Sequence, residues 1–341
     1  ESYDGTSWAT SPATLATANN LGGGSPAGTS SAALNTEGGS TPYGATTEEF
    51  NQSTSVITAG AWAAGGALTT GRRYLCGFGT PTTAVAAGGS TPAPAASNAT
   101  EEYDGSTWTA VTAMGTARYS LSGCGTLTAG LIAGGGPGYK GETEEYNGTT
   151  WAEQNNLNTP RQELSAFGTQ TAGVAAGGDT GSVSAATEEY DGTNWTTSPG
   201  SMNTARKGLP AGGAGTLTAG ITYGGGVPTA TGATETYDGS TWTSGGSMVT
   251  ARGGNFSAIQ GTQTAALTGA GGSVTNVEGY DGTAWSTRPA LATVRNYAAG
   301  VGTSSTAMAF GGRNPGTVGL TATEQFTGET SAANIETLTT S

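Results

Sequence analysis

The stretch Glu102-Tyr103-Asp104-Gly105-Ser106-Thr107-Trp108, EYDGSTW, decides the fold because the chain writes it repeatedly. It returns as EYNGTTW ending at Trp151, EYDGTNW at Trp195, TYDGSTW at Trp242, GYDGTAW at Trp285 and SYDGTSW at Trp8. Asp-Gly or Asn-Gly between two short runs is a strong hairpin signal, since a tight primed turn needs positive φ. A motif copied so often reads as a structural unit that tiles: a turn plus a packing anchor.

Working outward, the aromatic before that turn or its remnant falls at Tyr3, Phe50, Tyr103, Tyr146, Tyr190, Tyr237, Tyr280 and Phe326, at intervals of 43 to 53 residues. Between these aromatics lie seven apolar runs, each closing in Gly-Gly: Gly38-Gly39, Gly88-Gly89, Gly134-Gly135, Gly177-Gly178, Gly224-Gly225, Gly271-Gly272 and Gly311-Gly312. One unit reads as four short strands. Strand A leads to a Gly-Thr turn, B runs into Gly-Gly, C is the TEEY-like segment, and D carries the Trp. No helical period survives, and four-stranded sheets repeated radially make a β-propeller.

Composition agrees with a folded, tightly turned chain. The 61 Gly and 13 Pro would suit disorder, but 7 Trp, 12 Tyr, 6 Phe and only 10% charged residues oppose it. A net charge of −13 argues against a nucleic-acid partner. No apolar run of about 18 residues predicts a membrane span. The chain contains no His, which removes the commonest acid-base group and metal ligand. Cys76 and Cys124 show no metal spacing and read as buried free thiols. We expect no metal and no cofactor. Glu1 rather than Met at the first position fits a processed chain or part of something longer.

The Gly-Gly after a β run, the Glu-x-Tyr-Asp that follows it and the Trp five residues after the Tyr resemble the kelch repeat. The units are also similar, in their Thr/Gly/Ala-rich TEEYDGT style, to kelch-like repeats of marine bacteriophage virion proteins. Seven Gly-Gly units in register predict an all-β, seven-bladed propeller of kelch-like blades over residues 1–330, followed by a C-terminal tail at 331–341. Eight strand-C aromatics for seven units, with no Trp after Phe326, predict ring closure between the chain ends, with Trp8 on the outer strand of the blade that contains Ala309 and Phe310.

The charged residues keep a register. Arg72, Arg118, Arg161, Arg206, Arg252 and Arg295 each open a strand A, where the first unit has Asn19. Glu48, Glu101, Glu144, Glu188, Glu235, Glu278 and Glu324 each precede an anchor aromatic by two, on the same strand face. One Arg and one Glu per blade predict a structural ion-pair ring, because a buried charge needs its partner. The competing reading is an anion-capturing Arg cluster of the sialidase kind, but its unique acid and nucleophile are not what a once-per-blade pattern supplies. Copper radical and Ser-His-Asp chemistries both need His. We expect no enzyme.

The A–B and C–D turns are uniform, whereas the B–C loops vary over residues 40–46, 90–99, 136–143, 179–186, 226–233 and 313–321. Variation on one face of a rigid scaffold predicts a binding surface. Tyr43, Tyr139, Lys140, Asp179, Arg313 and Asn314 are its candidate residues, together with Trp62, which an insertion in the second unit displaces. The expected function is a virion surface or tail-fibre component, extracellular or else secreted. Its expected partners are a host surface glycan or protein or other virion proteins, with self-association as a further option and no nucleic acid or membrane insertion. The alternatives are a kelch-type adaptor for a protein partner and a sialidase-like enzyme.

Overall fold

The computed structural model describes residues 55–333 apart from 92–94, 227–228 and 317–318, and before them the strand segments 2–3, 8–9, 23–24, 32–36 and 47–51. The chain divides into two compact units: Gly60–Gly328, and Glu1–Ala59 with Glu329–Ser341.

Gly60–Gly328 is a β-propeller of six four-stranded blades, consistent with the kelch type. Blade 1 is built from Cys76–Thr80, Thr83–Ala87, Thr100–Tyr103 and Trp108–Val111, strands A to D in order. Blades 2 to 5 repeat the pattern and start their strand A at Ser122, Ser165, Ala214 and Phe256. Blade 6 takes A, B and C from Ala299–Gly302, Thr306–Phe310 and Thr323–Thr327, and its outer strand from Ala61–Gly65.

The ring therefore has six blades, not the expected seven, and Trp62 closes it rather than Trp8. The register gives the reason. In blades 1 to 5 the anchor Tyr lies opposite the Trp, as in Tyr103 with Trp108 and Tyr190 with Trp195. Phe326 meets Trp62 in that same register, with ring centroids 5.1 Å apart. Trp8 pairs with Tyr3 in a separate two-stranded sheet. The first unit supplies a three-stranded sheet, Gly23–Gly24, Ala32–Thr36 and Thr47–Asn51, which is not one of the six blades. After Phe50 the sequence Asn51-Gln52-Ser53 offers no Asp-Gly, and the displaced Trp62 goes to a blade that lacks one.

Each sheet has two working faces, set by the two-residue period of a strand. In blade 2, Tyr146 and Trp151 face blade 1: the Tyr146 hydroxyl donates to Glu102 at 2.6 Å and the Trp151 indole donates to Thr100 at 3.1 Å. The Trp-to-Thr bond recurs from Trp108 to Thr323, Trp195 to Thr143, Trp242 to Thr187 and Trp285 to Thr234. At the closure, Val277 stands where the accepting Thr would be, and the Trp62 indole donates instead to the Pro289 carbonyl at 2.8 Å. The second Glu of TEEY is thus a blade-to-blade residue, a role the expected ion-pair ring did not include.

All six arginines that open strand A are buried, and each meets the Glu of its own blade: Arg72–Glu101, Arg118–Glu144, Arg161–Glu188, Arg206–Glu235, Arg252–Glu278 and Arg295–Glu324. Arg161 Nη1 also donates to the carbonyls of Gly177 and Ala186, and Glu188 accepts the backbone N–H groups of Asn158 and Thr159. The pair therefore ties the crossover entering a blade to that blade's strand C. The Gly-Gly turn adds a link to the next blade: Gly135, at φ 115°, donates its N–H to the Arg161 carbonyl at 2.8 Å. A Cβ on Gly135 would lie 2.9 Å from the Tyr119 carbonyl, so the turn excludes other residues. Glu48 lies in Thr47–Asn51, where the side chain is outside the described residues, and its unit is not a blade of this ring.

Both cysteines are buried and free, and burial pushes each thiol up to about 12.

Candidate axial binding site

Two residues after each of those arginines the backbone turns into the left-handed region. The six residues are Tyr74, Ser120, Glu163, Gly208, Gly254 and Tyr297, with φ between 53° and 65°. They form a hydrogen-bonded rosette around the propeller axis. Tyr74 N–H donates to Tyr297, Ser120 to Tyr74, Glu163 to Ser120, Gly254 to Gly208 and Tyr297 to Gly254. Between Glu163 and Gly208 the bond is made by the neighbouring Leu209 N–H.

The rosette lines a small pocket of about 30 Å³. Its deeper walls include Leu75, Leu121, Leu164 and Leu209, the apolar residues that follow rosette positions. Ala211 forms part of its floor, because the segment before the shortened strand A of blade 4 crosses the axis: its carbonyl accepts the Gly123 N–H of blade 2. The shortened strand A of blade 5 similarly sends Ile259 into the core beneath blades 1, 2 and 6.

The pocket opens on the face of the B–C loops, as the bridges between crossover and loop require. Arg73 pairs with Ser90, Tyr119 with Gly136, Gln162 with Asp179, Lys207 with Gly226 and Asn296 with Arg313. Charge is divided across this mouth. On one side, Tyr74 and Tyr297 stack with centroids 4.0 Å apart, Arg73 lies over Tyr74 and Arg313 over Tyr297, each at 5.5 Å. Burial, together with the Tyr297 phenol, pushes the Tyr74 hydroxyl up to about 12, with both guanidiniums pulling the other way. On the other side, burial raises the Glu163 carboxyl above its ordinary range, and Asp179 adds to this while Lys207 opposes it. Lys207 donates to Asp179 at 2.7 Å, which raises the lysine.

The residues expected from sequence fall in three places. Asp179 and Arg313 stand at the axial mouth. Tyr139 is exposed on the same face and Lys140 pairs with Glu142 at 3.2 Å, in the blade 2 loop. Asn314 follows Arg313 in the blade 6 loop, and Tyr43 lies outside the described residues. Trp62 sits on the outer strand of the closing blade, packed against Phe326 and edge-on to Phe256 at 5.8 Å. Sequence reasoning missed Arg73, Tyr74, Glu163 and Tyr297. Their signal was present: they sit one or two residues beyond a constant Arg, at positions whose identity changes from blade to blade.

No protein-family model matches the chain, and no curated protein matches it either. Fold and site together define a β-propeller of four-stranded blades, consistent with the kelch type and an architecture suited to binding.

Proposed function

We propose that this protein is a non-enzymatic binding module that engages its partner through the axial mouth and the surrounding B–C loops. One observation carries the reading. Where a backbone must be left-handed, glycine is the least costly residue, and Gly208 and Gly254 follow that rule. Tyr74, Ser120, Glu163 and Tyr297 break it at equivalent positions on a pocket wall. Non-glycine residues held there cost about 1–3 kcal/mol each and cluster at ligand-binding sites. The side chains, rather than the turns, account for that cost.

The finer reading is a virion surface or tail-fibre component that attaches to a host surface glycan or protein, or to other virion proteins. It is supported by the resemblance of the TEEYDGT-style units and by the rigid, closed scaffold behind the loops. Flanking genes for tail or capsid proteins would favour it, and flanking genes of intracellular signalling would count against it. The axial reading is tested by cell-binding and glycan-array measurements on Tyr297→Ala and on the opposite-face pair Thr193→Glu with Thr283→Glu. We expect binding to be lost in the first and kept in the second; the reverse pattern moves the working surface to the Asp-Gly turns.

A further inference from the structure

We propose that Asn147 is a self-modification site: its side-chain amide is exchanged for a carboxylate through a ring closed by the Gly148 nitrogen, leaving an aspartate at position 147. The site goes beyond the axial reading and lies on the opposite face, so neither depends on the other. Asp104, Asp191, Asp238 and Asp281 open the C–D turns of blades 1, 3, 4 and 5, and blade 2 has an amide at that place. Asn147 is also the only asparagine of the chain that precedes glycine. A side chain on the following residue hinders attack by its backbone nitrogen, and glycine has none. Asn147 is exposed, and Gly148, at φ 88°, has an N–H that meets no acceptor among the described residues. The Asn147 Oδ1 accepts the N–H groups of Thr149 at 2.9 Å and Thr150 at 2.8 Å, and Nδ2 donates to the Thr150 hydroxyl at 3.1 Å. Negative charge develops on that oxygen as nitrogen adds to Cγ, and two fixed N–H donors stabilise it.

The Gly148 nitrogen bonds to Cγ and gives its proton to solvent, while the Cγ–Nδ2 bond breaks and ammonia leaves with a proton from water. Water then adds at Cγ of the cyclic imide, the new N–Cγ bond breaks, and a carboxylate remains. The product has a prepared place. Asp104 accepts the same two N–H bonds, from Ser106 and Thr107, and its second oxygen accepts the Thr107 hydroxyl at 3.0 Å. Asp238 accepts the Thr241 hydroxyl in the same way at 2.8 Å. Thr150 has only to rotate its hydroxyl to do this for the new carboxylate. The backbone bonds hold the Asp104, Asp191, Asp238 and Asp281 carboxyls below the usual carboxylate range, and an ionised carboxylate does not close the ring. The reaction therefore stops at aspartate. Water adding at the main-chain carbonyl instead leaves isoaspartate, which puts an extra backbone carbon into a turn whose ends are fixed by Tyr146 opposite Trp151.

Incubation of the full chain in mildly alkaline buffer made with heavy-oxygen water, followed by peptide mass spectrometry, tests the assignment. We expect Asn147 to convert at least about tenfold faster than any other asparagine, taking up one heavy oxygen, with aspartate as the main product. The Asn147→Asp variant should keep the melting temperature of the parent. Conversion at Asn147 no faster than at the exposed Asn156 and Asn194 overturns the inference. Isoaspartate as the main product, or an Asn147→Asp variant that melts well below the parent, overturns the claim that the turn is built to receive the product. The axial reading is decided separately by Tyr297→Ala, which leaves the turn at Asn147 untouched.

Discussion

Arg72 and Arg73 are adjacent in the chain and live in opposite circumstances. Arg72 is fully buried, donates to two backbone carbonyls and meets Glu101 at 2.7 Å. Arg73 sits at the pocket mouth over an aromatic face and meets no carboxylate among the described residues. Arg295 and Arg313 repeat the contrast in blade 6. A buried guanidinium loses its hydration, which pulls its pKa down, and Glu188 opposes that pull for Arg161 as the corresponding Glu does in each blade. Such a pair holds the ring together and is buried out of a ligand's reach. A charge left unpaired at the axis contributes little to folding and is available for recognition.

The largest expected effect is therefore at the paired set. Arg161→Ala strands Glu188 without its cation and should cost about 3–5 kcal/mol, read as the midpoint of urea unfolding. Changing Arg161 and Glu188 together to apolar residues of matched size should recover much of that loss. A double variant as unstable as the single would break the view that the stranded charge is the main cost.

Next comes the closure. Trp62 is half-buried against Phe326 and Phe256, and Trp62→Ala should cost about 2–4 kcal/mol of ring stability. Loss of protection in blade 6 first, seen by amide hydrogen exchange, would place the opening at this seam. Uniform loss across all blades would mean that the seam does not open separately.

Glu163 should move stability the other way. Its carboxyl is raised in the folded state, so the native protein binds this proton more tightly than the unfolded chain does. Stability then falls as pH rises from the ordinary Glu range through the raised value. Glu163→Gln removes that loss and should be slightly more stable at neutral pH, with the difference vanishing in acid. A variant less stable at pH 7 would give Glu163 a structural role. The smallest effect on stability belongs to Arg73→Gln and Arg313→Gln, expected within about 0.5 kcal/mol of the parent. A drop like that of Arg161→Ala would erase the distinction between the two sets.

The hairpins, the Gly-Gly links and the strand-opening arginines were legible because each is local chemistry repeated in register. The blade count was not, because counting Gly-Gly marks assumes that every unit owns its fourth strand. Thr47–Asn51 does not: the missing Asp-Gly after Phe50 and the late Trp62 were visible, but only the pairing with Phe326 gives them meaning. The pocket was legible only as a loop face. Tyr74 and Tyr297 lie far apart in sequence and meet because the ring closes between blades 6 and 1, a contact no local pattern encodes.

The rosette has a consequence for how such a protein changes its preferences. Its hydrogen bonds run through main-chain atoms, so the backbone does not specify which side chains stand at the axis. A Cβ at Gly208 would come no nearer to another atom than 3.9 Å, from the Glu163 carboxylate, whereas at Gly254 it would strike the Tyr297 ring at 2.6 Å. Gly208 is thus a blank position facing the ligand, and Gly254 is one already covered by its neighbour. New specificities can be written onto this axis one codon at a time, without lengthening a loop or disturbing a blade.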